Sequence, residues 1–382
     1  MSNDQLAALF LNVKEIQGVI QIWNSQLTTA SFMQNFEVVT GDPLDKAISI
    51  VNNTKLKAIN IQSLVTSNGK LEITNNPKLN LQKMCSVIHE VYLNRRTINR
   101  NLVDCGCDGG FDWSVNKNFP KNCSVLYGNI IIHYQTPPIE VLYRLSTITK
   151  LYGYLSVKNT NLETLGFLQN LEEIESGIND GNILYLDYNP FLRRLDLVRL
   201  TTIQNRKPET QVFIASSTDL CIDPLFIQNL ANSDIKDIWL DNMVYCGLDK
   251  IRYPSTYCTG ELSSVPDSCT RYIGNIIYSR PGIQQFEFIF GAIVIHATSL
   301  TSFTLPKLQG IYHVQTLLAD SIYRIYVAIS FRRNDFLEDV SFPSLKALYP
   351  AIYFVRNGNL TVDDAFIKKI SNGVKRIQVN VF

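Results

Sequence analysis

No run of apolar residues among these 382 approaches the ~18–20 that a membrane-crossing helix needs, so the sequence holds no helical span. Charge is scarce as well. Only 18% of residues are Asp, Glu, Lys or Arg and the net charge is +1, which excludes the basic field that nucleic acid requires and an acidic tail alike. Histidine is rare, and His89, His133, His296 and His313 are scattered. There is no HExxH, no recurring Cys–His pairing, and no glycine-rich phosphate loop between a strand and a helix. The opening residues MSNDQLAALFLNVKEIQGV lack a basic n-region, and their apolar stretch, residues 6–11, is too short for a signal peptide.

What is present is a repeat. Cys123-Ser-Val-Leu-Tyr-Gly128-Asn-Ile-Ile-Ile132 recurs as Cys269-Thr-Arg-Tyr-Ile-Gly274-Asn-Ile-Ile-Tyr278. Each copy sets Gly-Asn five residues after the Cys and then opens an apolar strand. The apolar content of 46% marks a globular chain long enough for two or three cores. A chain built from copies of one module is more often a binding scaffold than a single-site enzyme.

A shorter period lies inside the long one. Segments opening at residues 128, 153, 182, 211 and 236 each carry two apolar residues at i and i+2, a strand about every 25–29 residues. That is solenoid spacing, in which stacked coils share one core and pair strand to strand. A later copy gives strands in residues 274–279, 291–295, 327–331, 351–355 and 376–380. An earlier copy gives 18–24, 70–73 and 90–93. Asn53, Asn189 and Asn334 hold one position in the three copies, and Gly291 answers Gly153. The earliest copy lacks its Cys-x4-Gly-Asn coil, and the expectation is a chain cut one coil into its first module. Such a cut would also account for the missing signal sequence.

These motifs carry a resemblance. Cys-x4-Gly-Asn-Ile-x-Ile, then Gly153-x-Leu-x-Val-x-Asn-Thr-x-Leu162, then Phe167-Leu-x-Asn-Leu-x-x-Ile174, then Leu-x-x-Asn189-Pro-x-Leu192 and Leu220-Cys221 resemble the receptor L domain, in a tandem arrangement like the nematode L-domain proteins. The resemblance implies an all-β-rich fold of tandem right-handed single-stranded β-helices, leucine-rich-repeat-like, with short helical or loop excursions. It implies three L domains, at residues 1–105 (without the opening coil), 123–246 and 269–382, joined by disulfide linkers at 106–122 and 247–268. It also implies extracellular recognition of a peptide hormone or protein ligand, insulin-like or growth-factor-like, without catalysis. No ligand-contact motif of those receptors matches here residue by residue.

Eight cysteines straddle the two junctions and allow on the order of a hundred pairings. The repeat narrows them to Cys85–Cys105 and Cys221–Cys246, closing a module's last coil, and Cys107–Cys123 and Cys258–Cys269, pinning each linker to the next module. Bonds of this loop length contribute roughly 3 kcal/mol each on the chain-entropy account. Thr361 stands where Cys221 does in the preceding copy, and the partner position is absent with it. Zinc is the rival, but Cys105-Gly-Cys107 has neither a second close Cys pair nor a His nearby. No metal or cofactor is assigned.

The residue between the two inward positions of each strand points outward. In the middle copy this column reads Ile131, Ser156, Tyr185, Phe213, Trp239. In the first it reads Gln21, Ser49, Glu72, Tyr92, and in the last Ile277, Val294, Ser330, Tyr353, Gln378. Tyr185, Phe213 and Trp239 are the candidate partner-binding residues, since aromatic patches mark partner surfaces. The opposing expectation is that a neighbouring module or loop covers them. Asn52, Asn122 and Asn359 head glycosylation sequons. Asp187 and Asp241 fall on nonadjacent strands, whereas sugar-cleaving sites need clustered carboxylates, so no catalytic residue is assigned. Two functions remain: an extracellular or cell-surface binding protein, or a structural, self-associating extracellular protein with no soluble ligand.

Overall fold

The computed structural model describes residues 3–42, 45–92, 95–108, 111–112, 123–176, 181–205, 210–233, 235, 237–246, 256–278, 283–314, 327–371, 374 and 378–381. The chain forms two compact units: residues 1–157, 170–185 and 204–211, and residues 158–169, 186–203 and 212–382.

Among the described residues of the first unit, strands pair in parallel. One sheet takes strands Ile20–Trp23, Lys46–Val51, Lys70–Thr74 and Arg96–Asn99 in chain order. Alternation decides its inner face: Ile22, Ile50, Ile73 and Ile98 stand in register, each buried. Removing any one of these side chains costs about 2–5 kcal/mol through lost burial and a residual cavity. Strands Cys107–Asp108, Val125–Tyr127, Lys150–Tyr152 and Glu173–Ser176 form a second parallel sheet, beside strands Phe111–Asp112, Ile130–His133, Leu155–Lys158 and Gly181–Asp187. The Gly-Asn of the doubled phrase is the corner between these sheets. Gly128 takes φ +129°, open to glycine, and Asn129 Oδ1 accepts from the Tyr154 N–H at 3.2 Å.

The second unit repeats this plan. Strands Ile276–Tyr278, Ile293–His296, Ile329–Arg332, Ile352–Val355 and Val379–Val381 make one parallel sheet. Ile295, Phe331 and Phe354 stand in register as its core, with the two Phe rings stacked at 5.1 Å. Strands Tyr257–Thr259, Arg271–Ile273, Phe288–Phe290, Gly310–Tyr312 and Ala347–Tyr349 make the sheet on the other side of the Gly274-Asn275 corner. Helix Pro224–Asn232, capped by Asp223 Oδ1 on the Leu225 N–H, packs on Gly310–Tyr312 and Ala347–Tyr349.

A buried asparagine ladder ties successive repeats together. Asn53 Oδ1 accepts from the Ser25 N–H, Asn76 Oδ1 from the Asn53 N–H and Asn101 Oδ1 from the Asn76 N–H. In the second unit Asn357 Oδ1 accepts from the Asn334 N–H, and Asn189 Oδ1 from the Thr160 N–H. Four disulfides join Cys85 to Cys105, Cys107 to Cys123, Cys221 to Cys246 and Cys258 to Cys269, with Cα separations of 5.3, 6.1, 4.9 and 6.0 Å.

Some expectations need correction. The strand expected at 90–93 is the end of helix Cys85–Tyr92, because Ile88, Val91 and Tyr92 are buried at helical spacing. Tyr92 is therefore a core residue, its phenol pushed up to about 12 by burial, and Thr97 takes the place beside Glu72. Asn380, not Gln378, stands beside Tyr353. Ahead of the first strands, helix Asn3–Leu9 leads into Phe10, whose ring meets Phe32 at 5.5 Å and Phe36 at 5.8 Å. Helix Cys85–Tyr92 does more than close a repeat. His89 Nε2 lies 3.1 Å from Glu175 Oε2 and its ring 4.1 Å from that of Tyr152, while Arg96 covers Tyr127 at 3.2 Å.

Candidate ligand-binding surface

The outward columns are not equally exposed. In each, the serine is covered by a longer side chain from an adjoining position. Trp23 Nε1 donates to Ser49 Oγ at 3.0 Å, leaving Ser49 0% exposed, and Ser49 Oγ donates to Glu72 Oε2 at 2.7 Å. His133 Nε2 lies 2.7 Å from Ser156 Oγ, and Arg332 Nε donates to Ser330 Oγ at 2.8 Å. Ser49, Ser156 and Ser330 are thus buried despite pointing away from the core.

Lys46 Nζ closes the first group at 2.7 Å from Glu72 Oε2. The Lys46 hydrogen bond holds the Glu72 carboxyl below its ordinary value against the opposing effect of burial, and the Ser49 hydroxyl adds to it. A carboxyl lowered on folding contributes stability above its unfolded pKa, which is lost as pH falls through the folded one. Acidification below about pH 4 is therefore expected to release Trp23, which is 53% exposed, and change its fluorescence. Glu72→Gln should remove that acid transition. A titration with the same transition in both proteins would refute the coupling.

Phe213 and Trp239 differ from these. They sit on strands Thr210–Ile222 and Asp237–Tyr245, neighbours in one sheet. Val212, Ile214 and Leu240 fill the core, which turns Phe213 and Trp239 outward. Their rings stack at 6.4 Å with planes 10° apart, and Trp239 remains 62% exposed. Such a pair is worth ~0.5–1.5 kcal/mol beyond its buried area, so the two rings hold each other in place. The Trp239 strand is anchored on both sides of the ring. Tyr349 Oη donates to the Ile238 carbonyl at 3.1 Å, and Tyr245 Oη to the Tyr312 carbonyl at 2.7 Å. Burial raises the Tyr245 phenol well above its ordinary value, so it stays a donor. Tyr185, in the first unit, is half-buried on strand Gly181–Asp187.

A cleft of about 430 Å³ is lined by Glu163, Thr164, Gln169, Arg193, Arg194 and Asp196 among others. Arg194 Nη2 and Thr164 Oγ1 both engage the Asp196 carboxylate, at 2.9 and 2.6 Å, which ties up that carboxylate. Among the described residues no group of His, Cys, Asp and Glu could hold a metal, and no helix is long and apolar enough to cross a membrane. Asn52 and Asn359 are exposed, while Asn122 lies outside the described residues.

The comparisons agree with this picture of a binding module. The Receptor L domain family matches residues 1–91 and 122–232. Protein irld-34 of Caenorhabditis elegans is 24% identical over 275 residues, which cover 64% of this chain and 67% of that protein. The two family matches together take in more than half of the chain, across the parallel sheets and the Gly-Asn corner described above, and the chain belongs to the receptor L-domain family.

Proposed function

We propose that the chain is an extracellular ligand-binding protein, a row of tandem right-handed single-stranded β-helices that recognises a peptide hormone or protein through the aromatic face of its middle L domain. The domains are residues 1–105, 123–246 and 269–382, with disulfide-pinned linkers between them. Four disulfides support an oxidising compartment. On this reading Asn52 and Asn359, both exposed, carry glycans. The observation that carries the proposal is the exposed Trp239 stacked on Phe213. A purely architectural role would bury that pair against the protein's own surface. Large rigid aromatic rings supply contact area at little entropic loss and dominate binding energy where they occur.

The test is a screen of secreted peptides and proteins on the immobilised chain, repeated with Tyr185→Ser, Phe213→Ser and Trp239→Ser combined. The triple variant is expected to bind its selected ligand at least about 100-fold more weakly, a loss of ~2.7 kcal/mol or more. Ligand should also quench Trp239 fluorescence. Unaltered affinity in the correctly folded variant would refute the site, and a chain that selects only itself would favour the structural, self-associating reading.

A further inference from the structure

Strands of the outward sheets end repeatedly on a residue in the left-handed region, and the backbone hydrogen bond there recurs from repeat to repeat. Asn24, Asn52 and Asn75 donate their N–H to the carbonyls of Val51, Thr74 and Asn99, and Arg333 donates to Val355 at 3.0 Å in the same way. Asn suits this corner because it tolerates positive φ better than other side chains. The first sheet uses Asn24, Asn52 and Asn75 with a single Arg100 at its end, at φ 49–57°. The last departs from this. Arg333 and Arg356 hold the corner on neighbouring strands, at φ 53° and 52°.

Those strands are in register, with Arg332 beside Val355, so the two arginines follow one another about 4.8 Å apart in the sheet direction. Both are exposed, and neither guanidinium has a partner among the described residues. Like charges on adjacent strands repel. Two strained positions thus carry two mutually repelling cations. Arg332 adds a third guanidinium one residue earlier, with His296 beside it in register. Against these stands one exposed carboxylate on the same turn, Asp335. Phe336, 59% exposed, ends that turn.

We infer that this corner binds a sulfated polysaccharide. Planar guanidiniums match the oxygens of sulfate in pairs. The surface is an exposed edge running across repeats, suited to a linear polyanion, and Phe336 offers a flat face to a sugar ring. The site is independent of the Phe213–Trp239 surface.

The experiment is heparin-affinity chromatography of the full chain in an Asn359→Gln background, so that a glycan three residues from Arg356 cannot mask the corner. Retention at about 0.15 M salt and release at higher salt are expected. Arg333→Asn with Arg356→Asn should bind heparin about tenfold more weakly, yet melt no lower than the parent, because strain and repulsion are both relieved. Arg193→Asn, an exposed arginine elsewhere, should elute unchanged. The inference is overturned by undiminished retention of the double variant, by an equal loss in Arg193→Asn, by no retention of the parent, or by polyglutamate of equal charge competing as well as heparin. The last result would assign an acidic protein instead.

Discussion

Gly153→Ala is expected to destabilise the fold severely. A Cβ at residue 153 would stand 2.6 Å from the Gly128 carbonyl carbon, closer still to its oxygen, and 2.9 Å from Asn129 Oδ1. These are backbone and a hydrogen-bonded amide, not the movable end of a long side chain. The Gly128 N–H is committed to the Tyr152 carbonyl at 3.0 Å, and Asn129 Oδ1 to the Tyr154 N–H, so relief means separating neighbouring repeats at their corner. A loss above about 4 kcal/mol is expected, a large share of the ~5–15 kcal/mol that holds a domain folded. Gly291→Ala should behave alike, because its Cβ would meet the Gly274 carbonyl. Gly181→Ala is the control. Its φ is +121°, but nothing lies within 4 Å, so it should lose only the ~1–3 kcal/mol of backbone strain. Urea unfolding of the three variants makes the comparison, and equal effects at 153 and 181 would refute the steric account.

Asn76→Ala is expected to lose about 3–5 kcal/mol. Asn76 is fully buried, and its amide replaces backbone partners that the turn cannot supply. Nδ2 donates to the carbonyls of Ile50 and Thr74, both at 3.0 Å, while Oδ1 accepts from the Asn53 N–H at 2.9 Å and from Asn53 Nδ2 at 3.0 Å. Alanine strands a buried N–H and a buried carbonyl, each worth ~1–3 kcal/mol when unmet. Asn76→Asp would be no remedy, because aspartate keeps the acceptor, discards both donors and buries a charge. Asn357→Ala, at a half-buried ladder position, should lose less. Chemical denaturation would sink the argument if Asn76→Ala cost under about 1 kcal/mol.

Much of the architecture is readable in the chain because it follows from local periodicity. Ile22, Ile50, Ile73 and Ile98 sit at the alternate positions a strand buries, and Gly128-Asn129 with Gly274-Asn275 mark the corners where only glycine meets the required φ. The second parallel sheet is not readable there. Its strands, such as Val125–Tyr127 and Lys150–Tyr152, are three residues long and too short to display a period. The end of helix Cys85–Tyr92 reads as a strand because Glu90-Val-Tyr-Leu93 alternates as well as it spirals, and only the burial of Ile88 with Val91 and Tyr92 separates the two.

The aromatic surface divides the same way. That Phe213 and Trp239 face away from Val212, Ile214 and Leu240 is a matter of alternation along the strand, and the order of residues is enough to establish it. Whether an outward residue meets solvent is a different matter. Ser49 and Trp239 occupy the same kind of position, yet one is sealed beneath Trp23 and the other lies open on Phe213. Coverage depends on which side chain from a neighbouring strand, some 26 residues away for Trp23 over Ser49, leans across the face, and on what lies beside it to hold it there. That is a cross-strand property, and it takes its value only when the repeats stack and bring distant side chains onto one face.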